Sequence, residues 1–456
     1  MSDLPENWCI CKMSEIVLWT SGGTPKATDK SYYENGEIPW LVIGDLSDGQ
    51  VFCSEKCITQ KAVKESSAKL IPPGTLLLGM YGSIGKLGIT QMWSATNQAI
   101  ASAISLEGIR VYYLFYWLKY IRSKLFALGK GGTQKNISLA VINSLEIPLP
   151  PLAEQGRIVQ KIEELFADID AGIQNLKSVQ DQIKLYRQSV LKSAFEGKLT
   201  TEWREANLPA KIKNDLAVEN PPFYIPSNWA WFKLPQIGTV ERGKSKHRPR
   251  NDKRLFGGKY PFIQTGEIKA SKQYLYNYSE TYSDFGLSQS KLWDENTLCI
   301  TIAANIAETA ILKIKACFPD SVVGFTKNDQ ISRIEYVEYY IRLIRENLDK
   351  AAPATAQKNI NLQTLSEVLI PLPTLDEQER IVAEIERRFE RADELEQVVA
   401  DTLADTEKMK QTILKKAFRG ELVEQNPDDE PAAVLLDRIR AERASAPKSS
   451  KKGKRK

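Results

Sequence analysis

The sequence predicts an α+β protein of two mixed α/β domains. Each runs into a long helix, the two helices pack antiparallel as a coiled coil, and the halves are related by an internal pseudo-two-fold repeat. Three observations predict this: a gap-free internal repeat, a long three-and-four-residue apolar seam in each copy, and short strand-like runs mixed with amphipathic helices ahead of each seam. At 456 residues the chain is also too long for one core.

The repeat has an offset of 223 residues. Gln134-Lys135-Asn136-Ile137 recurs as Gln357-Lys358-Asn359-Ile360, and Ile147-Pro148-Leu149-Pro150 as Ile370-Pro371-Leu372-Pro373. Glu154-Gln155 maps to Glu377-Gln378, Arg157-Ile158-Val159 to Arg380-Ile381-Val382, and Ala194-Phe195, Gly197 and Leu199 to Ala417-Phe418, Gly420 and Leu422. Positions 134 to 199 hold 27 identities in 66, far above chance. Upstream, Leu4-Pro5-Glu6-Asn7-Trp8 answers to Ile225-Pro226-Ser227-Asn228-Trp229, and Ile38-Pro39-Trp40 to Tyr260-Pro261-Phe262. Between these marks the copies diverge, so each reads as a shared frame around a private interior.

The globular parts are 1–148 and 221–371, with strand-like runs such as Ile38–Ile43, Thr75–Leu78 and Leu298–Ile302 and amphipathic helices near 111–128 and 337–348. From Leu152 the seam runs through Ile158, Ile162, Leu165, Ile169, Ile173, Leu176, Val179, Ile183, Tyr186 and Val190. Prolines 148, 150 and 151 mark its start, and Gly197 and Gly420 follow basic last turns. These helices, within 149–199 and 372–424, are each a rod of roughly 65 to 70 Å that one small domain cannot cover. The other copy is the expected partner because it is held at high effective concentration; a coiled coil between chains is the alternative. Residues 200–220 read as a polar linker, and 425–456 as a tail whose basic end, 448–456, is disordered.

Composition narrows the function. Lys and Arg number 62 against 57 acids, so basic function depends on where charges lie. The longest apolar run, Val111–Leu118, is far short of a membrane span and the start Met1-Ser2-Asp3 lacks a signal, which predicts a cytoplasmic protein. Six sparse cysteines suit a reducing compartment; Cys9/Cys11 and Cys53/Cys57 could be read as metal pairs, but the single histidine is His247 and C-x-C or C-x3-C spacing alone is a weak signal, so no metal is expected. The single histidine, His247, disfavours triad chemistry.

The stretch Gly79-Met80-Tyr81-Gly82-Ser83-Ile84-Gly85-Lys86-Leu87 lacks the spacing of a phosphate-binding loop and reads as a tight turn between strands. Asn220-Pro221-Pro222-Phe223 imitates the catalytic tetrapeptide of DNA amino-methyltransferases, without a strand and glycine-rich loop ahead of it. Glu267-Ile268-Lys269 downstream of Asp252 imitates a nuclease set, but the aligned Asp45-Leu46-Ser47 lacks the lysine. Binding signals are better. Glu241–Arg254 holds Arg242, Lys244, Lys246, Arg248, Arg250, Lys253 and Arg254, suited to phosphates and guanine edges, with a solvated loop as the plain alternative. Loops 129–136 and 350–359 combine small residues with Lys, Gln and Asn; Asn136 and Asn359 can read adenine or cap the next helix.

Ile-Pro-Leu-Pro, a step to Glu-Gln, Arg-Ile-Val, a long helix and Ala-Phe-x-Gly-x-Leu, all twice, resemble the specificity subunit of type I restriction-modification systems over nearly the whole chain. The resemblance implies two target-recognition domains, each binding half of a split double-stranded DNA site, with the helices as spacer. It implies that this chain is not an enzyme and holds no cofactor, with S-adenosylmethionine, ATP and magnesium on two modification and two restriction subunits. Candidate DNA contacts are then Lys26, Tyr81, Ser83, Lys86, Lys130, Thr133, Gln134 and Lys135 in the first domain. In the second they are Arg242, Lys244, Lys246, Arg248, Arg250, Thr355, Gln357 and Lys358. Glu154, Gln155, Arg157, Glu377, Gln378 and Arg380 are candidates for docking the modification subunits. The rivals are a stand-alone adenine methyltransferase using Asn220–Phe223 and a coiled-coil scaffold.

Overall fold

The two ends of each domain are zipped together. In the computed structural model, which describes residues 4–105, 109–131, 135–214, 216, 218–303, 305–351 and 359–445, Cys9–Lys12 pairs antiparallel with Glu146–Leu149. Ala230–Lys233 pairs the same way with Leu369–Leu372. Proline has no N–H to give a ladder, so Ile-Pro-Leu-Pro suits a two-stranded ribbon, where one edge needs no partner.

Each ribbon leads into a five-stranded sheet. In the first domain its order is Val17–Ser21, Ile100–Ser105, Leu76–Gly79, Leu87–Thr90, Gly49–Val51. In the second it is Gly238–Arg242, Val322–Lys327, Leu298–Thr301, Thr309–Leu312, Tyr274–Leu275. The last strand is parallel to its neighbour in both. Four-stranded sheets also match: Cys57–Ile58, Ile38–Leu41, Ser94–Thr96, Leu70–Ile71 in one domain, and Glu280–Tyr282, Phe256–Phe262, Ala316–Cys317, Leu292–Trp293 in the other. The interiors that read as private in sequence therefore share one topology. Sheets tolerate this because inward positions need only apolar volume, not a particular residue.

The long helices are Leu152–Phe195 and Leu375–Ala417. The chain divides into two units, 1–176 with 401–456 and 177–400, so the division falls inside both helices. In the first unit Ile158, Ile162 and Phe166 share a core with Leu414, Ala417 and Phe418; in the second Ile381 and Ile385 share one with Val190, Leu191, Ala194 and Phe195. Each unit thus joins the start of one helix to the end of the other, antiparallel. Lys410 pairs with Asp170 in the first unit and Arg187 with Asp393 in the second. Tyr186, expected on the seam, is 43% exposed, because away from the domain core only one facing helix is available to cover it.

The Ala-Phe-x-Gly motif ends each helix inside a domain. Tyr113 meets Phe418 edge-on at 5.3 Å, and Tyr336 meets Phe195 at 5.0 Å. Gly197 and Gly420 both have φ of +74°, and a Cβ would lie 2.3 Å from Pro226 and 2.4 Å from Pro5. Only glycine meets both demands. The turn lays the chain against the Pro-x-Asn-Trp segment, and this is why the two motifs occur together.

Two segments read as linker and tail are in part helical. Thr201–Asn207 lies within 200–220, and Ala432–Ser445 within 425–456. They occupy matching places: Ile212 donates to the Asn228 carbonyl at 2.9 Å and Ala432 to that of Asn7 at 3.0 Å. The Ala432–Ser445 helix buries Ala432, Leu435, Leu436 and Ile439 against a core containing Cys11, Met13 and Ile16. Its four buried apolar positions are too few to show as a long period. Residues 446–456 lie outside the described residues. Deleting 430–456 is expected to cost the first unit on the order of 5 kcal/mol through the apolar surface it exposes. Hydrogen exchange resolved by segment checks this: protection should fall around Met13–Ile16 and hold around Leu234–Ile237.

Candidate nucleic-acid interface

A polar frame at each helix start holds the helix to its domain. Glu154 accepts the Trp8 indole N–H at 3.0 Å and the Gln425 amide at 2.7 Å. Glu377 accepts the Trp229 indole at 3.0 Å, the Thr200 hydroxyl at 2.8 Å and the Arg204 guanidinium at 2.7 Å. Gln155 and Gln378 accept the backbone N–H of Arg110 and Arg333 at 3.0 and 2.9 Å, and donate to Pro150 and Pro373 carbonyls. Tyr113 and Tyr336 each donate to a proline carbonyl, Pro148 and Pro371, at 2.7 Å. Burial pushes the Glu154 carboxyl above its ordinary range, against the pull of Gln425 and Trp8.

This corrects the docking assignment. Glu154, Gln155, Glu377 and Gln378 are at most 1% exposed and bonded within their own unit, so they offer a partner no surface. They repeat because they hold the helix start to the domain. Arg157 is half-buried and paired with Asp429 at 2.7 Å; Arg380 is exposed.

The Gly-rich stretch of the first domain is the tight turn expected of it, joining Leu76–Gly79 to Leu87–Thr90. Gly85 has φ of +85°, Gly85 N donates to Gly79 O at 3.1 Å, and Ser83 N to Tyr81 O at 2.7 Å. Between Thr301 and Glu308 the described residues of the second domain repeat these bonds: Ala307 has φ of +55°, Ala307 N donates to Thr301 O at 2.8 Å, and Asn305 N to Ala303 O at 2.8 Å. Sequence reasoning missed this counterpart, since alanine replaces the glycine that signals the turn. Asn305 accepts from Lys269 at 3.3 Å.

Tyr81, Ser83, Lys130 and Lys135 come together. Tyr81 and Lys130 both form bridges to Asn136, and Gly82 N donates to Lys135 O at 3.3 Å. Tyr81, Ser83 and Lys130 are exposed, and the Lys135 ammonium sits 4.6 Å over the Phe126 ring. Lys86 is a correction: its ammonium turns inward to the carbonyls of Ile43 and Gly44, at 3.3 and 3.4 Å, and tethers its own domain. Thr133, Gln134, Thr355, Gln357 and Lys358 lie outside the described residues.

Lys26 and the basic cluster occupy corresponding loops, each after the first strand of its five-stranded sheet. Gly22 and Gly243 start them with matching bonds to Ile100 O at 3.3 Å and Val322 O at 2.8 Å. Lys26, Lys244, Lys246, Arg248 and Arg250 are exposed. Asp320 organises the second loop, accepting Arg250 through both oxygens at 2.9 and 3.0 Å and Arg242 on its carbonyl. Arg248 donates to the Ser245 carbonyl at 2.6 Å. Arg254 and His247 hold Asp252 well below the usual carboxylate range. Exposed pairs of this kind are worth roughly 0 to 1 kcal/mol, so a phosphate can compete for these guanidiniums.

The imitated catalytic sets have structural uses. Phe223 packs edge-on to Trp231 at 5.1 Å, anchoring Asn220–Phe223 in irregular chain. Glu267 accepts its own helix's Gln264 N–H at 3.0 Å. Among the described residues no group of three or more His, Cys, Asp or Glu is placed to hold a metal, and no helix is long and apolar enough to cross a membrane.

Two domains of one topology, set on shared helices and differing in their exposed loops, define an internally duplicated recognition scaffold. The family model for the type I restriction modification DNA specificity domain matches residues 5–178 and 226–403, and the chain belongs to that family. It is 26% identical over 466 residues to the EcoBI specificity subunit of Escherichia coli, covering 99% of this chain and 95% of that one. To the EcoKI specificity subunit of Escherichia coli K12 it is 26% identical over 483 residues, covering 99% and 98%. In fold it is similar to a chain from a study of complex assembly and conformational transition in a type I R-M system, with TM-score 0.69, 21% identity and coverage of 92% and 100%. The HsdS subunit of Thermoanaerobacter tengcongensis is similar with TM-score 0.55, 20% identity and coverage of 92% and 98%.

Proposed function

We propose that this chain recognises a bipartite, asymmetric DNA site for a type I restriction-modification complex, each unit reading one half. One observation carries the reading: the two units repeat the indole-to-glutamate, backbone-to-glutamine and tyrosine-to-proline bonds of their buried frame while their loop sequences differ, from Tyr81-Gly82-Ser83 to Ala303-Ala304-Asn305 and from Lys26 to Arg242–Arg250. A duplicated scaffold with two different faces suits two different half-sites about one helical turn apart, roughly 34 to 36 Å. Adenine N6 methylation with S-adenosylmethionine, and ATP- and magnesium-dependent cleavage, are assigned to two modification and two restriction subunits. This chain contributes no catalytic group and works with them in the cytoplasm. The modification subunits must extrude the target adenine, so the recognition domains fix where flipping occurs. Arg380 and the exposed helix faces are the surface on offer to them.

The test replaces residues 1–148 with the corresponding domain of another family member and maps methylated adenines. One half of the recognised site is expected to change. A change in both halves, or S-adenosylmethionine binding by the isolated chain, would overturn the reading.

A further inference from the structure

Each unit presents two adjoining loops, of which one varies and the other does not. Gln134–Ile137 and Gln357–Ile360 are identical, whereas the neighbouring hairpin tips share no residue across Tyr81-Gly82-Ser83 and Ala303-Ala304-Asn305. The two loops are physically coupled in the same way in both units. Ile137 N donates to Met80 O at 3.0 Å and Ile360 N to Ile302 O at 3.0 Å, while Asn136 bridges to Tyr81 and Asn359 to Ala303. Asn136 and Asn359 are both exposed beside these bonds.

Asn136-Ile137 and Asn359-Ile360 are the same residues held by matching bonds, and a contact made alike in both units cannot distinguish two different base sequences. Whatever the invariant loop touches must be common to both half-sites. What every duplex half-site shares is its phosphate backbone, which a lysine cation and an exposed amide are suited to hold. What differs is the base edges, which the varying tip meets with the Tyr81 and Ser83 hydroxyls in one unit and the Asn305 amide in the other. Resting on the reading that this chain recognises DNA, we propose a division of labour: Lys135 and Asn136, with Asn359 in the second unit, grip backbone phosphate, and Tyr81 and Ser83 of one hairpin tip and Asn305 of the other discriminate bases.

The experiment uses the full chain assembled with its modification subunits and a panel of duplexes bearing single base changes, titrated across a salt series. Lys135→Ala with Asn136→Ala is expected to weaken every duplex by about fivefold at ~0.15 M salt and to lower the salt slope by about 0.9 for each phosphate no longer neutralised, leaving base preference intact. Lys135→Arg should restore the slope. Tyr81→Ala with Ser83→Ala is expected to leave the slope unchanged and to reduce discrimination in one half-site by roughly tenfold. Altered base preference in the Lys135/Asn136 variant overturns the proposal, as does failure of that variant to assemble, which would make the loop a protein contact. An unchanged titration also overturns it. If the unaltered complex binds no duplex with site and salt dependence, the recognition reading fails instead, and the two failures are distinct.

Discussion

Glu377→Ala is expected to destabilise the second unit by about 3 to 5 kcal/mol, the cost of leaving a buried charge without its partner. The carboxylate is fully buried and accepts from Arg204, Trp229 and Thr200 at once. Removing it strands a guanidinium whose side chain is only 16% exposed, together with an indole N–H. The equivalent Glu154→Ala should cost the first unit less, about 1 to 3 kcal/mol, because its donors, Trp8 and Gln425, are neutral. Arg204→Gln sets Glu377 beside an amide, as Glu154 already is, and should be the milder of the two changes in the second unit. Urea unfolding with segment-resolved hydrogen exchange separates the cases. Equal losses for the two alanine variants would show that the charge on Arg204 does not decide the difference.

Inserting four helical residues in each long helix, between Leu176 and Lys177 and between Ala400 and Asp401, is expected to lengthen the unspecified spacer of the recognised site. The added rise is about 6 Å. One base pair occupies about 3.4 Å, so the spacer should grow by one or two base pairs while both half-site sequences stay the same. Insertion in both helices keeps their antiparallel register; insertion in one alone breaks it and should abolish assembly. Mapping methylated adenines reads the result, and an unchanged spacer would remove the helices as the ruler.

Much of this was legible in the chain because duplication writes the same constraint twice. Ala194-Phe195-x-Gly197 and Ala417-Phe418-x-Gly420 repeat since each Phe fills a tyrosine-lined site and each glycine must take a positive φ under a proline. The frame motifs were visible for the same reason, yet their role was not. Glu154-Gln155 at a helix start looks like solvated polar surface, and only the fold brings Trp8, 146 residues away in sequence, against it. The second hairpin escaped notice because a turn needs a backbone conformation, and Ala307 adopts at φ +55° what Gly85 advertises by its identity. The basic cluster was legible as charge, but Asp320, which clamps Arg250 and Arg242, lies 70 and 78 residues away.

By itself, then, the sequence determined the doubling, the long helices and the belonging of the chain to its family. These are encoded by local period and repeated spacing, which need no knowledge of what touches what. The tertiary structure alone decided where each helix end lodges in a domain core, that the interiors share a topology, and which polar residues face inward. A buried polar group must find its partner wherever the chain brings one, and that partner's position is a property of the fold.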